Sequence, residues 1–256
     1  QRAEKIAGWV LWTTDGTYES VACTTGNIYA VVKRTINGSD VYNLEQFANT
    51  SFDVPTDCTT TKTISGSYQP HGTPLVNGAI SSTTTLVADG FTNAPSQGET
   101  FQFGGAGTTF TIQSATATGN SGEYTLVLNT ATSQSDNTAL QFVTSKVFSG
   151  LNSAPSLVGK TVHATSGSTE GGNIFYFGDG VVDSSGNVTF DTPISACDIG
   201  LLYSPTIHTL PIDATIQGGQ LTGHPRKIGK AVVELSSTYN IQINSNDVIL
   251  TTVSLN

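Results

Sequence analysis

Apolar and polar positions alternate along this chain with a period of two, the spacing of a half-buried strand rather than of a helix. Three such runs come early, over residues 18–23, 28–34 and 41–47, and they flank the pairs Asp15-Gly16 and Asn37-Gly38. Both pairs supply the backbone angles of a two-residue hairpin turn. The stretch therefore predicts an antiparallel meander with one buried face.

Residues 53–68 are threonine-rich and weakly patterned, and QPHGTP (69–74) then punctuates the chain with two prolines and a glycine. From Leu75 to Phe148 the sequence is almost uncharged, with strands at short spacing. These are SSTTTLVA (81–88), ETFQF (99–103), TTFTIQSA (108–115), EYTLVLN (123–129) and ALQFVT (139–144). Gly, Asn or Ser bounds each of them, the pattern of a small barrel or sandwich of five or six strands.

The return linker is GLNSAPSLVGK (150–160). A strand at 161–164, a glycine-rich loop at 166–172, a hairpin over 175–190 and an apolar run at 199–203 follow it. Residues 227–235 alternate as a strand, and DVILTTVSL (247–255) closes the chain as another. The expected architecture is all-β: an antiparallel meander, propeller-like or sandwich domain interrupted by a small inserted barrel or sandwich. The main domain takes residues 1–69 and 150–256, and the insert takes 70–149.

Composition sharpens this picture. Charged residues make up 11 % of the 256, against roughly 25 % in ordinary soluble domains. Thr, Ser, Gly and Asn fill the gap, a surface solvated by hydroxyls and amides, as in extracellular and virion β-proteins. The net charge of −9 opposes a grip on nucleic acid, because phosphate binding relies on Lys and Arg. An acidic wall does suit a channel through which nucleic acid slides without sticking.

Cys23, Cys58 and Cys197 form neither a C-x-x-C pair nor an even set, which disfavours a disulfide framework or a cysteine zinc site. Three buried thiols are expected instead. No apolar run reaches the roughly 20 residues of a membrane span, and no signal peptide pattern opens the sequence. With no Met, the sequence is expected to be a fragment or a processed chain.

Candidate chemistry is sparse. His71, His163, His208 and His224 show no i, i+2 or i, i+4 spacing, so a metal site is not expected. Asp179, Asp183 and Gly186-Asn187 resemble a calcium loop only superficially, lacking ligand oxygens at positions 1, 3 and 5 and a distal Glu. Hairpin turns account for them better. The glycine runs at 104–107 and 167–172 lack the order of a phosphate cradle, and there is no G-x-S-x-G elbow. The N-x-[ST] triplets at Asn37, Asn49 and Asn187 are expected by chance in so Thr- and Ser-rich a chain. Trp9 and Trp12 are expected to anchor a core or an interface, and Arg34, Arg226 and Lys227 to pair with acidic neighbours. No catalytic, cofactor-binding or metal-ligating residue is assigned, and no enzymatic activity is expected.

Several blocks do resemble a known family. W-V-L-W-T-T-D-G-T-Y-E-S-V (9–21), V-V-K-R-T-I-N-G (31–38) and L-E (44–45) are followed, in order, by four more. These are G-K-T-V (159–162), I-G-L-L-Y (199–203), T-L-P (209–211) and R-K-I (226–228). Together they resemble the tail nozzle proteins, or tail tubular proteins B, of short-tailed bacteriophages. The match spans roughly residues 7–47 and 157–236 and leaves out 70–148. Leu202 stands where a proline is more usual, and the loop after Val162 lacks the usual Asp-Gly turn.

The resemblance implies a virion tail component with no cofactor. It implies a ring of identical subunits, sixfold in the family, below a tail adaptor protein. Such a ring extends the channel for DNA ejection, holds it closed before infection and docks fibres or spikes. Genomic DNA would pass without specific binding. One rival is a glycan-binding or fibre-attachment role for the uncharged insert, marked by exposed aromatic side chains at one end of it. A second is a polysaccharide hydrolase using convergent carboxylates such as Asp179 and Asp183.

Overall fold

A computed structural model describes residues 13–47, 56–153, 156–166, 175–202, 215–216, 219–220, 240–245 and 248–254. Every regular element among them is a β-strand, and every ladder is antiparallel. The all-β expectation is met. None of the described residues forms a helix long and apolar enough to cross a membrane. The chain divides into two compact units, Leu11–Ser204 and Gln1–Val10 with Pro205–Asn256.

The larger unit opens with the meander: β1 (Thr17–Thr24), β2 (Asn27–Ile36) and β3 (Ser39–Gln46). Strand β2 alternates as the sequence predicts, with Ala30, Val32, Arg34 and Ile36 buried on one face. Asn37 and Gly38 make the β2–β3 turn, both at positive φ (48° and 76°), as a type I′ hairpin requires. Asp15-Gly16 is corrected: it precedes β1, and the β1–β2 turn falls at Thr25-Gly26. Gly16 serves close approach instead, since a Cβ there would lie 2.3 Å from the Lys33 carbonyl oxygen.

Next, β4 (Thr56–Thr63) runs along the edge of a four-stranded sheet whose other members come much later. These are β12 (Thr161–Thr165), β13 (Tyr176–Val181) and β15 (Ala196–Leu202), in the order β13-β12-β15-β4. Register places Cys197 opposite Lys62 and Ala164 opposite Ile199. Val162, Ala164, Ile199 and Leu201 point into a core that also holds Phe148, Leu151, Leu157, Val188 and Phe190.

Between β4 and that sheet's later strands lies the barrel. It is built from β5 (Gly72–Val76), β6 (Ile80–Phe91), β7 (Thr100–Phe103), β8 (Thr109–Ala117), β9 (Tyr124–Gln134) and β10 (Leu140–Phe142). The strand order is β10-β7-β8-β9-β6-β5. A bridge from Leu75 to Ala139, with the Val76 amide donating to Thr138 (2.9 Å), nearly closes the cylinder. Strand β5, which begins inside the stretch 69–74 expected only to punctuate, supplies that seam. Its Pro74 sits where the pairing with β6 shifts register, a place where a missing N–H costs no ladder bond. Phe101, Phe110, Phe142, Leu126, Ile112 and Val76 fill the interior.

The hairpin expected over 175–190 forms its turn but not its ladder. Strand β13 pairs with β12, while β14 (Val188–Ile194) pairs with β11 (Ser145–Phe148). Gly180 permits this crossing, because a Cβ there would stand 2.4 Å from Val188 Cγ2. The smaller unit contains two hairpins, β16 (Thr215–Ile216) with β17 (Gly219–Gln220) and β18 (Asn240–Ser245) with β19 (Val248–Ser254). The closing strand is thus present, and residues 227–235 lie outside the described residues.

Candidate functional site

Three clusters of polar side chains stand out in the larger unit. The first forms around Arg34, whose side chain is wholly buried. Its Nε and Nη2 donate to the two carboxylate oxygens of Glu45, each at 2.8 Å. Register explains the meeting: Arg34 lies on the buried face of β2, and Glu45 lies on the same face of β3 opposite Ala30. Arg34 Nη1 also donates to the Asp15 carbonyl, and Lys160 Nζ reaches the Asp15 carboxylate at 2.8 Å. Cys58 Sγ donates to Glu45 Oε1 at 3.1 Å. A forked, bidentate guanidinium–carboxylate pair fixes orientation as well as distance. This cluster welds the segment ahead of β1, the strands β2, β3 and β4, and the loop before β12, and it is built for rigidity.

The second cluster reaches the surface. On β12 and β13, His163 faces Asp179 across the ladder, and His163 Nδ1 contacts the Asp179 carboxylate. The Tyr176 hydroxyl donates to the same carboxylate. Asp179 and Tyr176 are about half exposed, while the His163 side chain is almost covered. Val181, two positions on from Asp179 along the same strand, is 63 % exposed. Asp183 takes no part. Its carboxylate accepts the Ser185 and Asn187 amides (2.8 and 2.9 Å), and those hydrogen bonds hold its pKa below the usual carboxylate range. The turn expected for Asp183 is therefore present, whereas Asp179 is a strand residue.

The third cluster is buried where the barrel meets the rest of the unit. His71, Glu99 and Ser145 are each 0 % exposed. Ser145 Oγ and Glu99 Oε2 both lie 3.0 Å from His71 Nε2, and His71 Nδ1 lies 3.0 Å from the Asn93 carbonyl. The residue types are those of a serine hydrolase, but the geometry is not. A catalytic histidine uses one ring nitrogen for the serine and the other for the acid, and here one nitrogen faces both.

His208, His224, Arg226, Lys227, Trp9, Trp12 and the 167–172 glycine run lie outside the described residues. The cysteine expectation is corrected: Cys23 is exposed on β1, Cys58 is half-buried and only Cys197 is buried. Cys23 belongs to an edge strand whose outer positions nothing described covers. Burial pushes the Cys197 thiol up to about 12. Cys23 and Cys197 are free thiols. Sequence reasoning missed the His71–Glu99–Ser145 cluster, whose members are up to 74 positions apart; no local spacing signals it.

No family model matches the chain, and no curated protein matches it.

Proposed function

We propose that this chain is a structural part of the tail nozzle of a short-tailed bacteriophage, a non-enzymatic ring subunit at the distal end of the DNA channel. The observation that carries the reading is the convergence around Arg34. Blocks 9–21, 31–38, 44–45 and 159–162 contribute Asp15, Arg34, Glu45 and Lys160 to a single cluster. Block 199–203 pairs with 159–162 through Val162 and Leu201. Short blocks scattered by chance have no reason to meet in space. Among the described residues, blocks 9–21, 31–38, 44–45, 159–162 and 199–203 do meet, and the stretch the resemblance leaves out builds a barrel with its own core. The excess of 19 acidic over 10 basic residues suits a channel that passes DNA without holding it.

The test is electron microscopy of particles formed by the full-length protein. End views with sixfold symmetry and an axial channel are expected. A monomeric full-length chain at micromolar concentration overturns the reading.

A second reading, glycan recognition, is favoured by the exposed Tyr176 ring, whose hydroxyl donates to the half-exposed Asp179 carboxylate. Aromatic faces against sugar C–H groups with a carboxylate accepting hydroxyls is a workable combination. It falls on β13, not on the barrel, where no large hydrophobic residue within 72–142 is exposed. Binding of host-envelope glycans that is lost in Tyr176→Ala would support it.

A further inference from the structure

A module joined to its neighbour by two chain crossings swings by default unless the contact is extensive. Here both crossings are clamped. Ahead of the barrel, the Tyr68 hydroxyl accepts the Ser149 amide at 2.9 Å, and Gln69 Oε1 accepts the Phe142 amide at 2.8 Å. On the far side, Thr144 Oγ1 accepts the Thr100 amide at 2.9 Å. Ile64 packs against both hydrophobic cores.

At the centre of this neck lies the buried cluster. Glu99 belongs to the barrel, where its carbonyl accepts the Ile112 amide. Ser145 and Lys146 belong to β11, which is laddered to β14 outside the barrel. Glu99 Oε1 accepts the Lys146 amide at 2.6 Å and Oε2 accepts the Ser96 amide at 2.8 Å. Its carboxylate therefore spans the joint. Ser145 Oγ accepts the Val147 amide at 3.0 Å and stands 3.1 Å from Glu99 Oε1. The His71 ring packs on Phe142 of the barrel core, with centroids 4.3 Å apart. The Asn93 carbonyl only accepts, so His71 Nδ1 carries the hydrogen.

We infer that His71, Glu99 and Ser145 form a latch that couples the barrel to the neighbouring β-sheets, so that the two open as one cooperative unit and the barrel projects in a fixed direction. Water is excluded, so each polar atom depends on its partners in the cluster; loosening the joint strands several at once. Glu99→Gln keeps the shape but sets an amide NH2 against a backbone N–H that a carboxylate oxygen accepts now. Ser145→Ala removes the hydroxyl between His71 and the Val147 amide.

The test is native-state hydrogen exchange, read by mass spectrometry on the full-length protein. In the unaltered protein, amides of β8 and β9 and of β12 and β15 exchange with one common opening constant. In Glu99→Gln, β8, β9 and the neck at 144–149 exchange roughly tenfold faster or more, while β12 and β15 keep their rates. Should Glu99→Gln fail to fold, Ser145→Ala reads the same split at roughly fivefold. Glu123→Gln, on the exposed rim of the barrel, serves as a control and leaves the neck unchanged. Separate opening constants in the unaltered protein overturn the latch, as does equal acceleration, or none, across both regions in the variants.

Discussion

The barrel and the Arg34 cluster solve the same problem by opposite means. The barrel is an aromatic interior: the Phe101 ring lies 5.2–6.1 Å from those of Phe103, Phe110 and Phe142. Around Arg34, a buried guanidinium instead holds two strands by a forked ion pair. Apolar contacts are non-directional and tolerate small shifts, so they fill a cylinder whose shape its strand order already sets. An ion pair costs desolvation and yields little net stability, but it admits only one geometry. The barrel is held by area, and the meander is held by orientation.

This contrast can be broken at several points. The largest effect is expected from Phe101→Ala, which hollows a wholly buried site; about 4 kcal/mol should be lost, measured by urea unfolding. Arg34→Ala should cost about 3 kcal/mol, because it leaves the Glu45 carboxylate without its partner. Glu45 is 22 % exposed, which keeps the figure at the low end of the range for buried pairs. Arg34→Met combined with Glu45→Leu should recover most of that loss, since a matched apolar pair strands no charge. A double variant as unstable as Arg34→Ala would mean that the cluster matters for more than this pair.

A smaller effect is expected on acidification. Hydrogen bonds from the turn amides depress the Asp183 pKa in the folded protein below its ordinary 3.8. Its contribution is therefore complete above 3.8 and disappears as pH falls through the lower folded value. Asp183→Asn should remove this part of the acid dependence of Tm, compared between about pH 6 and about pH 2. The least perturbing probe is alkylation. Cys23 should react with iodoacetamide in the native protein and Cys197 only on unfolding, read by peptide mass spectrometry. Native labelling of Cys197 would show that its sheet opens readily.

Much of the fold was legible because it is local. The three strands of the meander and five of the six in the barrel announce themselves by alternation and by Gly, Asn or Ser at their ends, and the pairs β1–β2, β2–β3, β5–β6, β7–β8 and β8–β9 form across short turns. Asn37-Gly38 succeeds as a turn signal because both residues adopt the positive φ it requires. Asp15-Gly16 misleads because its glycine answers a different need, the approach of Lys33. Strand β5 is masked by the proline and glycines of its punctuated surroundings, which a seam with shifted register accommodates. The hairpin over 175–190 fails as a ladder because its partners, β12 and β11, are supplied by other parts of the chain.

By itself, then, the sequence determined the all-β class, five of the barrel's six strands and the acidic, hydroxyl-rich composition, all consequences of residue type and of spacing over a few positions. Tertiary structure decided what joins to what. The pairing of β4 with β15 unites Thr61 and Asp198, 137 positions apart, and the neck brings His71, Glu99 and Ser145 together. Period-two alternation says which face of a strand is buried, but any strand with a buried face can satisfy it. Only the closing of long loops selects the partner, and with it the position of every polar group that the interior must satisfy.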